Sequence, residues 1–201
     1  MDELTPRERR HLRTREAVLE AARQIVSEQG ADALSIRAIA DRIDYSPAGL
    51  YEYFGSKEEI ITAVCRQGHE RLTQVMTAVD PTRPADEYLI AIGQAYIQFA
   101  LDNPDYYRLM FTNPTFVGTP ERMQEYGSSF TILLAAIQRG LDEGAFRPRP
   151  GYATLEMAYT AWALVHGISM LRLTYLTHHP IDYDTADAEA LRSLVHGLTQ
   201  A

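Results

Sequence analysis

Residues 35–60 read SIRAIADRIDYSPAGLYEYFGSKEEI. Ile36, Ile39, Ala40 and Ile43 recur at i, i+3, i+4 and i+7, the spacing of one helical face. Ser35 precedes them as a natural N-cap. "DYSP" breaks the pattern, and Asp44 is the residue that must tolerate the left-handed turn conformation. Ser46 caps a second short helix, and Pro47 occupies its first position, where a missing N–H costs nothing. Leu50 and Phe54 form its inward pair. Ser56 and Glu59 then spell a capping box for a third helix start. Two short helices joined by a tight turn make either a helix-turn-helix or an ordinary corner.

Lys57 is the only lysine in the chain, and it stands just inside that third start. A cation there opposes the helix dipole, while the free N–H groups beside it favour an anion. A phosphate satisfies both; the alternative is a solvated surface lysine that costs a few tenths of a kcal/mol. The second short helix turns small residues, Ala48 and Gly49, outward, which lets a backbone approach base edges. Ser46, Tyr51, Tyr53 and Lys57 supply donors of the kind that hold phosphates.

Outward from this stretch, residues 16–30 place Val18, Ala22, Ile25 and Val26 on one helical face, stopped by Gly30. Residues 7–15, RERRHLRTR, hold five arginines against one glutamate, a basic arm on a chain of net charge −8. An acidic total argues against a general nucleic-acid footprint; a focal basic arm still meets phosphates locally, whereas a charge run taken alone reads as a solvated, frayed terminus. C-terminal to the stretch, helical patterns run to about 79, over 85–102, from 104, over 120–143, 152–176 and 185–199. There is no sustained β alternation and no repeat. The expected fold is all-α, a three-helix head joined to a helical body, with a head of residues 1–60 and a body of 61–201.

The single cysteine, Cys65, excludes an internal disulfide. No apolar leader and no run of about 18 apolar residues is present, so a cytoplasmic location without a membrane is expected. No glycine-rich phosphate loop, H-x-x-x-H pair or nucleophile elbow occurs, so neither a cofactor nor catalysis is expected. His178, His179, Asp182 and Asp184 carry metal-binding chemistry, but adjacent histidines in a loop read as a polar connector, and no metal is expected.

The body carries an aromatic and methionine set: Tyr96, Phe99, Tyr107, Met110, Phe111, Phe130, Leu134, Trp162, His166 and Met170. Such a stripe is either core or the lining of a site for a small apolar molecule. Trp162 and His166 share a face at i, i+4.

LSIRAIADRIDYSPAGLYEYFGSKEEI (34–60) closely resembles the DNA-binding signature of the tetracycline-repressor family. Leu50, Tyr51, Phe54, Ser56, Lys57, Glu58 and Glu59 match in register, whereas the family's usual turn glycine is Asp44 here. AYIQFALDNPDYYRLMF (95–111) and WALVHG (162–167) resemble one C-terminal subclass of that family, marked by Trp-x-x-x-His-Gly. The resemblance implies a homodimeric, ligand-responsive regulator, most often a repressor, that binds a double-stranded, pseudo-palindromic operator. It implies DNA contacts at Arg37, Ser46, Ala48, Gly49, Tyr51, Tyr53 and Lys57, with Tyr45 and Pro47 beside them. It implies an effector, unknown in identity, held by the aromatic set above, and dimerisation through the last two long helices. Of the DNA set, Arg37 is the candidate base reader, because arginine pairs bidentately with guanine. Two rival readings remain: a helical carrier or enzyme for hydrophobic molecules, and a regulator without a small-molecule effector.

Overall fold

The computed structural model describes residues 4–112 and 128–200. Every regular element among them is helical, and the one β feature is an isolated bridge between Arg149 and Tyr152. The chain is all-α, as its periodicities imply. It divides into two compact units, one of residues 4–68 with 104–112, the other of residues 69–103 with 128–200. This division differs from the expected 1–60 and 61–201. The first boundary falls inside a helix, and a later segment joins the amino-terminal unit.

The first unit, the head, opens with α1 (Pro6–Gln29). A 3-10 turn (Ala31–Ala33), α2 (Ile36–Arg42), α3 (Pro47–Leu50) and the first part of α4 (Lys57–Thr77) follow. The run at 7–15 is therefore helix and not an arm leading into one. Thr5 caps α1 in a full capping box: its amide donates to Glu8 Oε2 at 2.7 Å, and the Glu8 amide donates to Thr5 Oγ1 at 3.3 Å. With Pro6 in the first turn, these contacts overcome the like-charge repulsion that five close arginines create. Val18, Ala22, Ile25, Leu34, Ile39, Leu50, Phe54 and Ile60 close the core beneath the short helices. A fully buried Leu or Ile contributes about 2 kcal/mol, so these short helices are held by packing and not by their own length.

α6 (Pro104–Thr112) completes the head, after α5 (Ala85–Asp102) of the other unit. Its Asp105 accepts from Arg23 of α1 at 3.0 Å, and its Tyr106 hydroxyl donates to Gln67 of α4 at 3.3 Å. Gly68 makes room for it: a Cβ there would lie 2.5 Å from Met110 Sδ.

The second unit, the body, packs α5 against α7 (Ser128–Asp142), α8 (Thr154–Leu173) and α9 (Tyr183–Thr199). The part of the expected 120–143 helix before 128 lies outside the described residues. Leu89, Ile92, Tyr96, Ile97, Phe99, Ala136, Ile137, Met157, Ala161, Val165, Leu191 and Leu198 form the core. Arg139 of α7 ties down the loop before α5, donating to Pro81 O at 2.7 Å and to the Arg83 carbonyl. No helix among the described residues is long and apolar enough to cross a membrane.

Candidate nucleic-acid interface

The turn between α2 and α3 is built by Asp44, which takes φ 53°, and by the Tyr45 amide, which donates back to Ala40 O at 2.9 Å. The left-handed residue is the one the sequence marked. Ser46 then starts α3, its Oγ accepting from the Gly49 amide at 3.0 Å. The helix is four residues long and is kept in place by Leu50, which is fully buried.

Tyr45 turns back over α3. A Cβ on Gly49 would lie 2.7 Å from Tyr45 Cε1, so the glycine is where the tyrosine ring rests. The Tyr45 hydroxyl reaches the Tyr53 hydroxyl at 3.2 Å, and the rings meet edge to face at 6.0 Å. This hydrogen bond, with the neighbouring Tyr53 and Glu52, raises the Tyr45 pKa and keeps the phenol protonated. His11 of α1 stacks on Tyr53 at 4.7 Å. Sequence spacing suggested that Gly49 let the backbone approach bases. In the structure its missing side chain admits Tyr45.

Arg15 belongs to the basic run, but its work is internal. It donates to Tyr53 O at 2.8 Å and lies 4.1 Å from the centroid of the Phe54 ring. A guanidinium caps the carbonyl end behind α3 and covers an aromatic face in one contact. Arg7, Arg9, Arg10 and Arg13 remain exposed, with Arg9 donating to the Leu4 carbonyl. Arg42 is held by Glu28 in a two-pronged pair at 2.6 and 2.9 Å, whereas Arg37 is exposed on α2.

At the start of α4, the Glu59 amide donates to Ser56 Oγ at 3.1 Å. The Glu59 carboxylate reaches one residue further back than a standard capping box, accepting from the Gly55 amide at 2.7 Å. Lys57 follows this cap, half-buried. Tyr45, Ser46, Pro47, Ala48 and Tyr51 are exposed, and Gly49 and Tyr53 are half-buried. All nine expected DNA contacts thus lie in the head, on α2, on α3 with its flanking turns, and at the first residue of α4. The sequence reading missed Arg15 and His11 as supports of this surface. The signal for them was Thr5-x-x-Glu8, which makes the run helical and so aligns His11 and Arg15 along one face.

The expected effector residues divide between the two units. Tyr107, Met110 and Phe111 belong to the head, where Tyr107 and Met110 are buried and the Tyr107 and Phe111 rings meet at 4.8 Å. Tyr96, Phe99, Phe130, Leu134, Trp162, His166 and Met170 belong to the body. Three of these converge. Tyr96 Oη accepts from Trp162 Nε1 at 3.2 Å and lies 3.3 Å from His166 Nδ1. Phe130 packs on Trp162 with centroids 5.6 Å apart. Burial lowers the pKa of His166, which favours the neutral imidazole. Phe99 is buried, and Leu134 and Met170 are half-buried. Of the expected 178–184 connector, His178 and His179 are exposed, whereas Asp182 caps α9 and Asp184 lies in its first turn, and no group of three or more His, Cys, Asp or Glu among the described residues is placed to hold a metal ion. Cys65 is buried, and burial pushes its thiol up to about 12.

Residues 18–64 match the model of bacterial regulatory proteins of the tetR family, and residues 89–188 match the model of the tetracyclin repressor-like C-terminal domain. The HTH-type transcriptional regulator Rv0681 of Mycobacterium tuberculosis is 26% identical over 92% of this chain and 81% of its own. The HTH-type transcriptional regulator UidR of Escherichia coli is 45% identical over 58 residues, 29% of this chain and 30% of its own. A tetR-family regulatory protein from Rhodococcus RHA1 shares the fold, with a TM-score of 0.74, 21% identity and coverage of 93% of this chain and 97% of that one. A capped helix-turn-helix, an all-helical body and two matching family models covering most of the length agree: the chain belongs to the tetracycline-repressor family and is a DNA-binding transcriptional regulator.

Proposed function

We propose that this regulator is a cytoplasmic homodimeric repressor that leaves a pseudo-palindromic operator when a small, largely hydrophobic effector enters the body. The observation that carries the reading is an uncovered apolar stripe on the body. Leu155, Tyr159, Ala163, Gly167 and Leu171 recur every four residues along α8, and Tyr175 follows. Tyr159 is 67% exposed and Tyr175 84%. Among the described residues, nothing outside its own helix lies within 4 Å of where a Cβ would be on Gly167 or, on α9, on Gly197. A glycine inside a helix costs about 1 kcal/mol relative to alanine. Packing among the described residues does not require either one, and close approach of a second copy would use both. Two-fold pairing through α8 and α9 gives two reading heads and hence an operator with two related halves.

Within each head, Arg37, Tyr45, Ser46, Pro47, Ala48, Gly49, Tyr51, Tyr53 and Lys57 are the proposed DNA-facing set. In the body, the Tyr96, Trp162 and His166 cluster offers hydroxyl and imidazole handles among apolar neighbours, which suits an effector with one polar end. The test pairs light scattering at micromolar concentration with a mobility shift on DNA upstream of the protein's own coding region. A dimeric mass and a shift that nonspecific competitor leaves intact are expected. A monomer would overturn the dimer, and binding that nonspecific DNA erases would overturn the operator.

A further inference from the structure

The polar side chains around α3 are partly engaged with one another, and the surface between them is carbon. Ser46 Oγ is engaged by the Gly49 amide at 3.0 Å. The Tyr45 and Tyr53 hydroxyls face each other at 3.2 Å. Pro47 and Ala48 offer only hydrocarbon, and both are exposed. The space beside Gly49 is filled by the Tyr45 ring, with Cε1 at 2.7 Å and Cδ1 at 3.1 Å from an added Cβ. Tyr45 nevertheless stays 39% exposed. The face that α3 turns outward is therefore a small carbon surface: an aromatic ring braced by Gly49 and Tyr53, next to the Ala48 methyl.

A base edge brought against this face meets carbon. In the major groove only thymine presents a carbon group of its own, the 5-methyl; the other bases present donors and acceptors that this face would strip of water without replacing. The ring is also held on two sides, by the Gly49 backbone and the Tyr53 hydroxyl, so little freedom is lost when it is covered. We propose that each operator half-site contains thymine read through its 5-methyl group by the Tyr45 ring and the Ala48 methyl, an inference that rests on the head being the DNA-reading surface. Arg37, on α2, is left to read a different base of the same half-site.

The test uses the full chain and a duplex enriched from a randomised library. Each thymine of the enriched half-sites is replaced in turn by deoxyuridine, which removes the methyl and nothing else. At one or two positions per half-site, binding should weaken about three- to fivefold, the factor for one buried methyl. Tyr45→Ala should bind the thymine and deoxyuridine duplexes alike, while Tyr45→Phe, which keeps the ring, should preserve the difference. Cytosine placed at the same position should bind better when it is 5-methylated. Equal binding of every deoxyuridine duplex overturns the proposal, and full methyl discrimination in Tyr45→Ala removes Tyr45 from it. A library that yields no enriched duplex would instead overturn the DNA-reading head itself.

Discussion

In the head, four successive helices each begin on a hydroxyl side chain: Thr5, Ser35, Ser46 and Ser56. In the body, α5 begins at Pro84 and α8 at Ala153, neither of which supplies a side-chain cap, while α9 begins on Asp182, which does. The head fixes many short elements by local hydrogen bonds, so its exposed residues are held in place. The body relies more on length and apolar packing, and it leaves part of that apolar surface exposed. A surface that must read DNA has to be pre-organised before contact. If the body dimerises as proposed, its exposed apolar surface gains its order on assembly.

The largest effect should come from the body. Tyr159→Asp with Leu171→Asp places charge on the uncovered stripe of α8, where little packing inside the chain is disturbed, since both side chains are exposed. Light scattering should report a monomer, and specific DNA affinity should fall about 10²- to 10⁴-fold as two linked heads become one. Near-normal helix content by circular dichroism would distinguish this from unfolding. If the double variant stayed dimeric, the contrast between a self-sufficient head and an unfinished body would break.

The next effect concerns the head's internal supports. Arg15→Ala removes both the bond to Tyr53 O and the cover on Phe54. The expected loss of stability is about 2 kcal/mol in urea unfolding. Lysine should not restore it, because only the planar guanidinium serves the carbonyl and the ring together. Arg7→Ala, a few residues away and exposed, should leave stability within about 0.5 kcal/mol.

These two arginines show where the sequence was legible. Ser35, Asp44, Ser46 and Pro47 each act within four residues of themselves, and the structure places each in its expected local role. Burial of Leu50 and Phe54 follows from the same short spacing. The roles of Arg15, His11 and Gly49 depend on what a turn brings back against them, 38 residues away in the case of Arg15. By its charge the run at 7–15 reads as an arm, which passes over the Thr5–Glu8 hydrogen bonds that make it helical. In the body, helical periodicity marked the apolar faces but not which unit each would join. Tyr107 and Met110 share the chemistry of Tyr96 and Trp162, yet α6 packs with the head through Arg23, Gln67 and Gly68.

A smaller effect should appear with acid. His69, the first residue of the body unit, is pushed down by burial to about 4 from its ordinary value of 6.5. A histidine kept neutral in the fold but free to charge when unfolded makes the unfolded state bind more protons between those two values. Stability should therefore be complete above about pH 6.5 and decline as pH falls toward 4. At about pH 5.8 the loss should be about 1 kcal/mol relative to about pH 7.5. Urea midpoints at both pH values for the wild type and for His69→Gln measure it, and the variant should show a smaller difference. An unchanged difference in His69→Gln would assign the acid sensitivity to other groups.

The smallest effect on stability, and the one most specific to DNA, belongs to Lys57. It follows the Ser56 cap at the start of a 21-residue helix, where the dipole makes a cation slightly unfavourable. Lys57→Ala should therefore change folding by no more than a few tenths of a kcal/mol. If Lys57 and the N–H groups around it hold a phosphate, the same change should weaken operator and random duplexes alike. It should also lower the slope of log affinity against log salt by roughly one for each phosphate that is no longer neutralised. Arg37→Ala is the control. It is exposed on α2, and as a base reader it should cost about 1–3 kcal/mol on the operator and much less on random DNA. Paired salt titrations of both variants on both duplexes separate the two roles. A salt slope unmoved by Lys57→Ala would leave the lone lysine without a phosphate. Equal weakening on both duplexes for Arg37→Ala would make it a second phosphate-holding cation, and base reading would then fall to the carbon face of α3.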